Sequence, residues 1–455
     1  MPRYWVETLG CPKNQVDSDK IGGTLLADGM TPAASADEAD VIVVNTCGFI
    51  DEARQESIDT VIALSDARAD GARLVVTGCM AERYGDELAG ALDAEGVLGA
   101  QDAVAGFGVP VALSPRTPSS ALLRTDAAVP AIDLLNLPRP PATVPWAYVK
   151  VAEGCDRNCG FCAIPSFRGP QRSRTVDDIV REVEQLVAPA LDGDGVPVRE
   201  IVLVAQDLAS FGRDQGQGER RIVPLVDAVA ARVDRVRLLY LYPSDLTDAL
   251  VESILGTGVP YFDLSLQHVS KPLMRRMRRW GDGDRFLGRI AAIRALEPSA
   301  AFRSNFIVGY PGETEADHDA LLEFVREAQV DWCGFFAYSR EDGTYAADLD
   351  GQVPEPLVHE RLAELRELQD AITARSSDRL VGETVTVLVD EPGQARGTRE
   401  APEIDGVVTV PDDLPVGALV DVVVTGALGP DLVAEPVTAD LARRDRPATG
   451  TVSGR

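Results

Sequence analysis

Residues 153–162 read EGCDRNCGFC and place Cys155, Cys159 and Cys162 within eight positions. Thiols this close are metal ligands by type, and a closed structural site takes four donors. The only histidines, His268, His318 and His359, lie far downstream, so the site is thiolate-rich. A 4Fe–4S cube held by three thiolates keeps one iron without a protein ligand. That iron is a place for a substrate or cofactor to bind. A zinc knuckle is the alternative, and it asks for a fourth donor, of which the nearest His is His268.

Three more cysteines are scattered: Cys11 in TLGCPKN, Cys47 in VNTCGFI and Cys79 in VTGCMAE. Singly, each reads as an inert buried thiol. Each, however, follows the end of an apolar strand-like run. In an open parallel sheet the carboxyl ends of neighbouring strands converge on one edge, where ligands bind. The three therefore form a second open cluster site, facing the first. Cys333, inside a strand run, reads as core. Seven cysteines in a long chain whose start, MPRYWVETLGCPKN, has no apolar core point to metal chemistry rather than a disulfide framework.

The elements that must hold these residues fall into an α/β chain of three domains. Residues 1–113 read as an N-terminal doubly wound α/β domain, with RYWVETLG, DVIVVNTC and RLVVTGC as buried parallel strands. Residues 114–143 are Pro- and Ser-rich linker composition. Residues 144–379 hold six strand runs, AYVKVA, EIVLVAQ, VRLLYLY, YFDLSLQ, FRSNFIVG and CGFFAYS, alternating with helical segments. One of these, TVDDIVREVEQLVA, has Thr175 as its cap. Six βα units predict a partial (βα)6 barrel rather than a full eight, with Cys155, Cys159 and Cys162 on the loop after the first strand, at the C-terminal face. Residues 380–443 predict a small β-barrel, and 444–455 a disordered tail.

The motif C-x3-C-x2-C on the first βα loop resembles the radical S-adenosylmethionine enzymes. The whole chain is similar to their methylthiotransferase branch, through GCPKNQVDS, NTCGFI, GCMAERY and FRGPQRSR. The resemblance implies two 4Fe–4S clusters and S-adenosyl-L-methionine as cofactors, held through Cys11, Cys47 and Cys79 and through Cys155, Cys159 and Cys162. It implies that cleavage of S-adenosylmethionine gives methionine and a 5′-deoxyadenosyl radical, that the N-terminal cluster handles the inserted sulfur, and that the last domain is a TRAM barrel. It also implies that Phe161 packs near the adenine, that Gln206 contacts the methionine amino group and that GYPGE (309–313) turns beside the adenine. Gln267 and Arg303, which end or begin later strands, are expected at the barrel mouth, and Arg172 or Arg174 as partners of a carboxylate. No side chain is assigned as a general acid or base.

LVAQDLASFGRD, DLSLQHVSKPLMRRM, YSREDGTYA and ARGTREAPEIDG resemble the type that methylthiolates the β-carbon of an aspartate in small-subunit ribosomal protein twelve; the alternative is a tRNA adenosine methylthiotransferase. Charge separates the two. The chain carries a net −28, and residues 380–442 hold twelve Asp and Glu against Arg396 and Arg399. Such a domain repels a phosphate backbone and suits a basic ribosomal protein. Nucleic acid is thus expected only through the ribosome. The chemistry also asks for a sulfur donor and an electron donor of flavodoxin or ferredoxin type. With no run long enough to span a bilayer, the expected location is cytoplasmic, with no membrane partner. Two basic islands, FRGPQRSR and RRMRR (275–279), stand out against the acidic background.

Overall fold

The computed structural model describes residues 1–91, 96–97, 134–188, 195–216 and 218–437. At the N-terminus, β1 (Arg3–Thr8), β2 (Thr31–Pro32), β3 (Val41–Thr46), β4 (Arg73–Gly78) and β5 (Gly96–Val97) form one parallel sheet, in the order β2-β1-β3-β4-β5. Helices α1 (Pro12–Ala27), α2 (Asp51–Ala67) and α3 (Cys79–Ala91) connect its strands. Successive residues of β3 and β4 bury on opposite faces. Val41, Val43 and Val75 pack with Ile21 and Leu25 of α1, while Ile42, Val44, Leu74 and Val76 pack with Val61 of α2. A sheet covered on both sides needs such uninterrupted apolar strands.

The expected linker, 114–143, lies outside the described residues as far as 133. Where description resumes it is not a free spacer. Leu134 and Leu135 are buried, Lys20 Nζ donates to Leu137 O at 2.8 Å, and Arg139 Nη1 donates to Tyr148 O at 2.5 Å. Proline-rich composition limits regular structure here to the 3-10 turn Leu134–Asn136 but does not prevent packing.

The central unit follows. Its parallel strands are β6 (Trp146–Lys150), β9 (Glu200–Val204), β10 (Arg235–Leu238), β11 (Tyr261–Gln267), β12 (Ala301–Val308) and β13 (Trp332–Ala337); the two-residue strands β7 (Ala152–Glu153) and β8 (Arg172–Ser173) pair antiparallel and bracket the cysteine loop. The sheets β6-β9-β10 and β11-β12-β13 meet through one parallel bridge, Leu241 to Leu264. The result is the six-stranded partial barrel expected from the sequence. Its convex side packs Val149, Leu203, Phe262 and Phe306 against the surrounding helices, among them Val176–Val187, capped by Thr175 Oγ1 accepting from Asp178 N. Cys333 packs on that side, where burial pushes its thiol up. The concave side carries Tyr148, Val202, Tyr261 and Trp332.

The helix Glu355–Asp378 leads to β14 (Thr384–Glu391), β15 (Gln394–Arg396), β16 (Val408–Thr409), β17 (Leu419–Leu428) and β18 (Asp431–Pro436), a closed barrel in the order β14-β15-β16-β18-β17. Its 397–405 loop enters the N-terminal end of the larger barrel. Tyr148 Oη donates to Pro402 O at 2.9 Å, Tyr261 Oη to Asp405 at 2.6 Å and Trp332 Nε1 to Arg399 O at 2.8 Å. Glu200, wholly buried, accepts from Arg237 at 2.7 Å and Arg396 at 3.1 Å. The floor of the large barrel is therefore sealed by the C-terminal domain. The tail, 444–455, lies outside the described residues. Among the described residues no helix is long and apolar enough to cross a membrane.

Candidate functional site

Each of the three scattered cysteines stands where one of three neighbouring strands ends. Cys11 caps α1 after β1, Cys47 directly follows β3, and Cys79 opens α3 directly after β4. Backbones must approach closely for this. At Gly10, φ is +95° and a Cβ would sit 2.9 Å from Cys47 Sγ; at Gly78, φ is +90° and a Cβ would meet Asn45 Oδ1 at 2.3 Å. Only glycine serves at both positions. Buried Asn14 ties the loops together, donating to Leu9 O at 2.9 Å and Thr46 O at 3.1 Å, while Asn45 donates to Asn14 O at 2.8 Å. Ser57 Oγ exchanges hydrogen bonds with the N–H and C=O of Cys47. Burial pushes the Cys47 thiol up to about 12, and Cys79 and Cys11 add to the rise. For Cys11, burial is outweighed by Lys13 and by the N–H groups of Asn14 and Lys13, and its thiol is lowered.

The second triad lies on the loop between β7 and β8. Cys155 N donates to Gly169 O, Cys162 N to Cys159 O, and Arg157 N to Cys155 Sγ at 3.4 Å. Arg157 is pinned by Asp207, Ser210 and Asp245 and lies over the Tyr242 ring at 3.9 Å. Arg279 donates to Cys159 Sγ at 3.1 Å. Burial pushes Cys155 and Cys162 each up to about 12.

Arg168, on the short helix Ile164–Arg168 after this loop, joins the two triads. Its guanidinium donates to Cys79 Sγ at 3.0 Å and Asn14 Oδ1 at 3.2 Å, and pairs with Glu153 at 3.3 Å and Asp17 at 3.5 Å. Lys150 Nζ lies 2.5 Å from both of the same carboxylates. Two acids and two bases are thus buried together between the cysteine sets. Burial would raise the Glu153 carboxyl, but Lys150 and Arg168 hold it well below the usual carboxylate range. At the other edge of the mouth, Glu341 accepts from Arg54 at 2.5 Å and Arg83 at 2.6 Å, and Asp51 N donates to Ser339 Oγ at 3.2 Å. The N-terminal domain is therefore fastened across the mouth at both sides, so that its cysteine edge faces the barrel's.

The other sequence candidates separate. Gln206, just past β9, donates to Glu153, while its buried Oε1 has no hydrogen-bond partner. Gln267 ends β11 with φ +72°, a conformation costly for any residue but glycine. Phe161 packs half-buried against the barrel core, within the cysteine loop. The GYPGE turn is locked by Glu313, which accepts from Gly309 N at 2.6 Å and Arg361 at 2.9 Å. Arg303 is not at the mouth. It pairs in register with Asp263 and Trp332 near the start of the strands, and its guanidinium meets Asp263 at 3.3 Å and Asp405 at 3.4 Å. Arg174 is spent on Asn136, Lys150 O and Glu182. Sequence reading missed Arg168, Arg279 and the Lys150–Asp17–Glu153 group. The basic islands contained both arginines, but only tertiary contact distinguishes them from their neighbours.

The donor sets fit iron–sulfur clusters. The thiols of Cys47, Cys155 and Cys162, pushed up by burial, stay protonated unaided, and a thiolate-binding metal would compensate the charge that burial penalises there. Among the described residues no group of three or more Cys, His, Asp or Glu side chains is arranged to hold a single metal ion. The unpartnered Gln206 Oε1 beside the loop suits an ammonium group.

Comparison with known proteins gives a consistent result. Residues 3–99 match the Uncharacterized protein family UPF0004, 149–325 the Radical SAM superfamily and 381–437 the TRAM domain. Ribosomal protein uS12 methylthiotransferase RimO of Streptomyces coelicolor is 41% identical, over 94% of this chain and 96% of its own. The protein of the same name from Chloroflexus aurantiacus is 40% identical, over 96% and 100%. Among solved structures, the radical S-adenosylmethionine methyltransferase TsrM from Kitasatospora setae, with cobalamin and a 4Fe–4S cluster bound, superposes with a TM-score of 0.50. At 12% identity over 89% of this chain and 82% of that one, it speaks to the fold alone.

Proposed function

The chain belongs to the RimO family of ribosomal protein uS12 methylthiotransferases, and from that premise we infer which of its residues carry the reaction. It is a radical S-adenosylmethionine transferase that methylthiolates uS12, and its cofactors are S-adenosylmethionine and two 4Fe–4S clusters. The bound groups supply reductive cleavage of S-adenosylmethionine and the sulfur that is transferred. Cys155, Cys159 and Cys162 hold one cluster, and Cys11, Cys47 and Cys79 the other. The observation that carries this assignment is the facing of two triads, one at the edge of β1, β3 and β4 and one on the first barrel loop, with Arg168 in contact with both sides.

The chain's own residues bind and orient. When S-adenosylmethionine is bound, the unpartnered Gln206 Oε1 would accept from its ammonium and Phe161 and the GYPGE turn would flank the adenine, with Gln267 at the end of β11 near them. The buried Lys150–Asp17–Glu153–Arg168 group fixes one triad relative to the other and keeps water out between them. The substrate carbon is the β-carbon of a uS12 aspartate. Seven carboxylates exposed on the C-terminal domain (Glu383, Glu391, Glu403, Asp412, Asp413, Asp421 and Glu435) give basic uS12 a complementary face and disfavour tRNA. A sulfur donor and an electron donor of flavodoxin or ferredoxin type complete the reaction, in the cytoplasm.

The test is anaerobic reconstitution followed by mass spectrometry of uS12. Wild type should take up about eight irons and give methylthiolated uS12; Cys159→Ala and Cys47→Ala should each keep about four. Cys159→Ala should release no methionine, whereas Cys47→Ala should release it without modifying uS12. Modified uS12 from either variant would refute the assignment.

A further inference from the structure

Seven Lys and Arg stand between positions 271 and 289 against two Asp, in a chain of net charge −28. Arg276 pairs with Asp350, Arg289 with Asp248 at 2.6 Å and Arg285 with Asp282 at 3.7 Å. Lys271, Arg275 and Arg278 are exposed and have no carboxylate partner among the described residues. Beside them Trp280 is 42% exposed, and with Pro243, Leu246, Phe286 and Arg289 it lines a cavity of about 330 Å³. A half-exposed Trp near two exposed arginines without a carboxylate partner, Arg275 and Arg278, has the composition of an interface centre rather than of solvated surface.

Directly behind this patch lies the barrel's cysteine loop. Arg279 donates to Cys159 Sγ at 3.1 Å, and Gly160 N donates to Met277 O at 2.8 Å. Arg278 lies over the Tyr345 ring at 3.6 Å, and a Cβ on Gly160 would meet that same ring at 3.1 Å. Exposed Arg278 and Trp280 thus flank Arg279, whose side chain reaches the loop.

We propose that the surface formed by Arg275, Arg278, Trp280 and Arg285 docks an acidic electron-donor protein that carries a flavin. The patch repels basic uS12, while the acidic remainder of the chain repels an acidic donor everywhere else, so that diffusional encounter is focused on this face. RNA is also an anion, but the patch is compact around an apolar centre rather than an extended basic track. One electron passes from the donor's reduced flavin, which is oxidised by one, to the cluster held by Cys155, Cys159 and Cys162, which is reduced by one. The inference rests on those three cysteines being its ligands.

The experiment compares the wild-type holoenzyme with Arg275→Glu/Arg278→Glu, reduced by photoreduced flavodoxin or by dithionite in stopped flow at low and high salt. The double variant should lose about tenfold or more of the flavodoxin rate at low salt, with a flattened salt dependence, and keep its dithionite rate. In a flavin-fluorescence titration Trp280→Ala should bind oxidised flavodoxin about tenfold more weakly. An unchanged flavodoxin rate in the double variant overturns the proposal, as does an equal loss with dithionite. So does loss of binding to a small-subunit RNA fragment with the flavodoxin rate intact. If dithionite reduces no cluster in the wild type, the ligand assignment fails instead, and the titration, which needs no cluster, still decides the docking surface.

Discussion

The cysteines were readable because a cluster dictates residue type, count and loop position at once, and few other roles produce C-x3-C-x2-C on a first βα loop. Their supporting residues were not. FRGPQRSR offers Arg168, Arg172 and Arg174, and nothing local says that Arg168 alone reaches Cys79. Removing that guanidinium leaves Asp17 and Glu153 with Lys150 as their remaining buried cation. Arg168→Gln should therefore cost about 3–5 kcal/mol in denaturant unfolding. It should also shift the reduction potential of the cluster proposed on Cys11, Cys47 and Cys79 to more negative values in a titration followed by electron paramagnetic resonance, because a donated N–H and a positive charge leave the Cys79 sulfur. Arg168→Lys, which keeps the charge but not the fork, should recover part of the stability and less of the potential. Arg303 was misjudged for a related reason: its counter-charge, Asp405, comes from another domain.

Elements were more legible than contacts. VIVVNT and LVVTG announce covered parallel strands by their β-branched runs, and six such runs with helices between them leave few alternatives to a partial barrel. What composition cannot show is the packing of a proline-rich segment, as at Leu134 and Leu135, or a loop from one barrel inserted into another, as at 397–405. That insertion depends on Glu200, which burial would push up but which Arg237 and Arg396 hold down at about 2. An acid depressed on folding stabilises the fold above its unfolded pKa, so this contribution should be complete above about pH 4.5 and lost as pH falls toward 2. Glu200→Gln should lose about 3–5 kcal/mol at neutral pH, by leaving the buried Arg237 guanidinium without a carboxylate while Arg396 keeps Asp390, and should show a shallower stability decline over that acid range. Denaturant midpoints at several pH values measure both effects.

The whole molecule is organised around one gap. The N-terminal domain is fastened at the β6 side by Lys150 and Asp17 and at the β13 side by Glu341 with Arg54 and Arg83. Glu341→Ala should release the second fastening without unfolding either domain. Hydrogen exchange should then rise over 47–54 and 79–84, while β3 and β6 stay protected; equal protection throughout would show that Glu341 holds nothing. Among the described residues, the loop 397–405 closes the floor and leaves the mouth between the two cysteine edges as the approach. A flat face or a paired strand of the ribosomal protein has no way in. The residue to be modified must arrive at the tip of a slender projecting loop, and S-adenosylmethionine must be seated before that loop corks the opening.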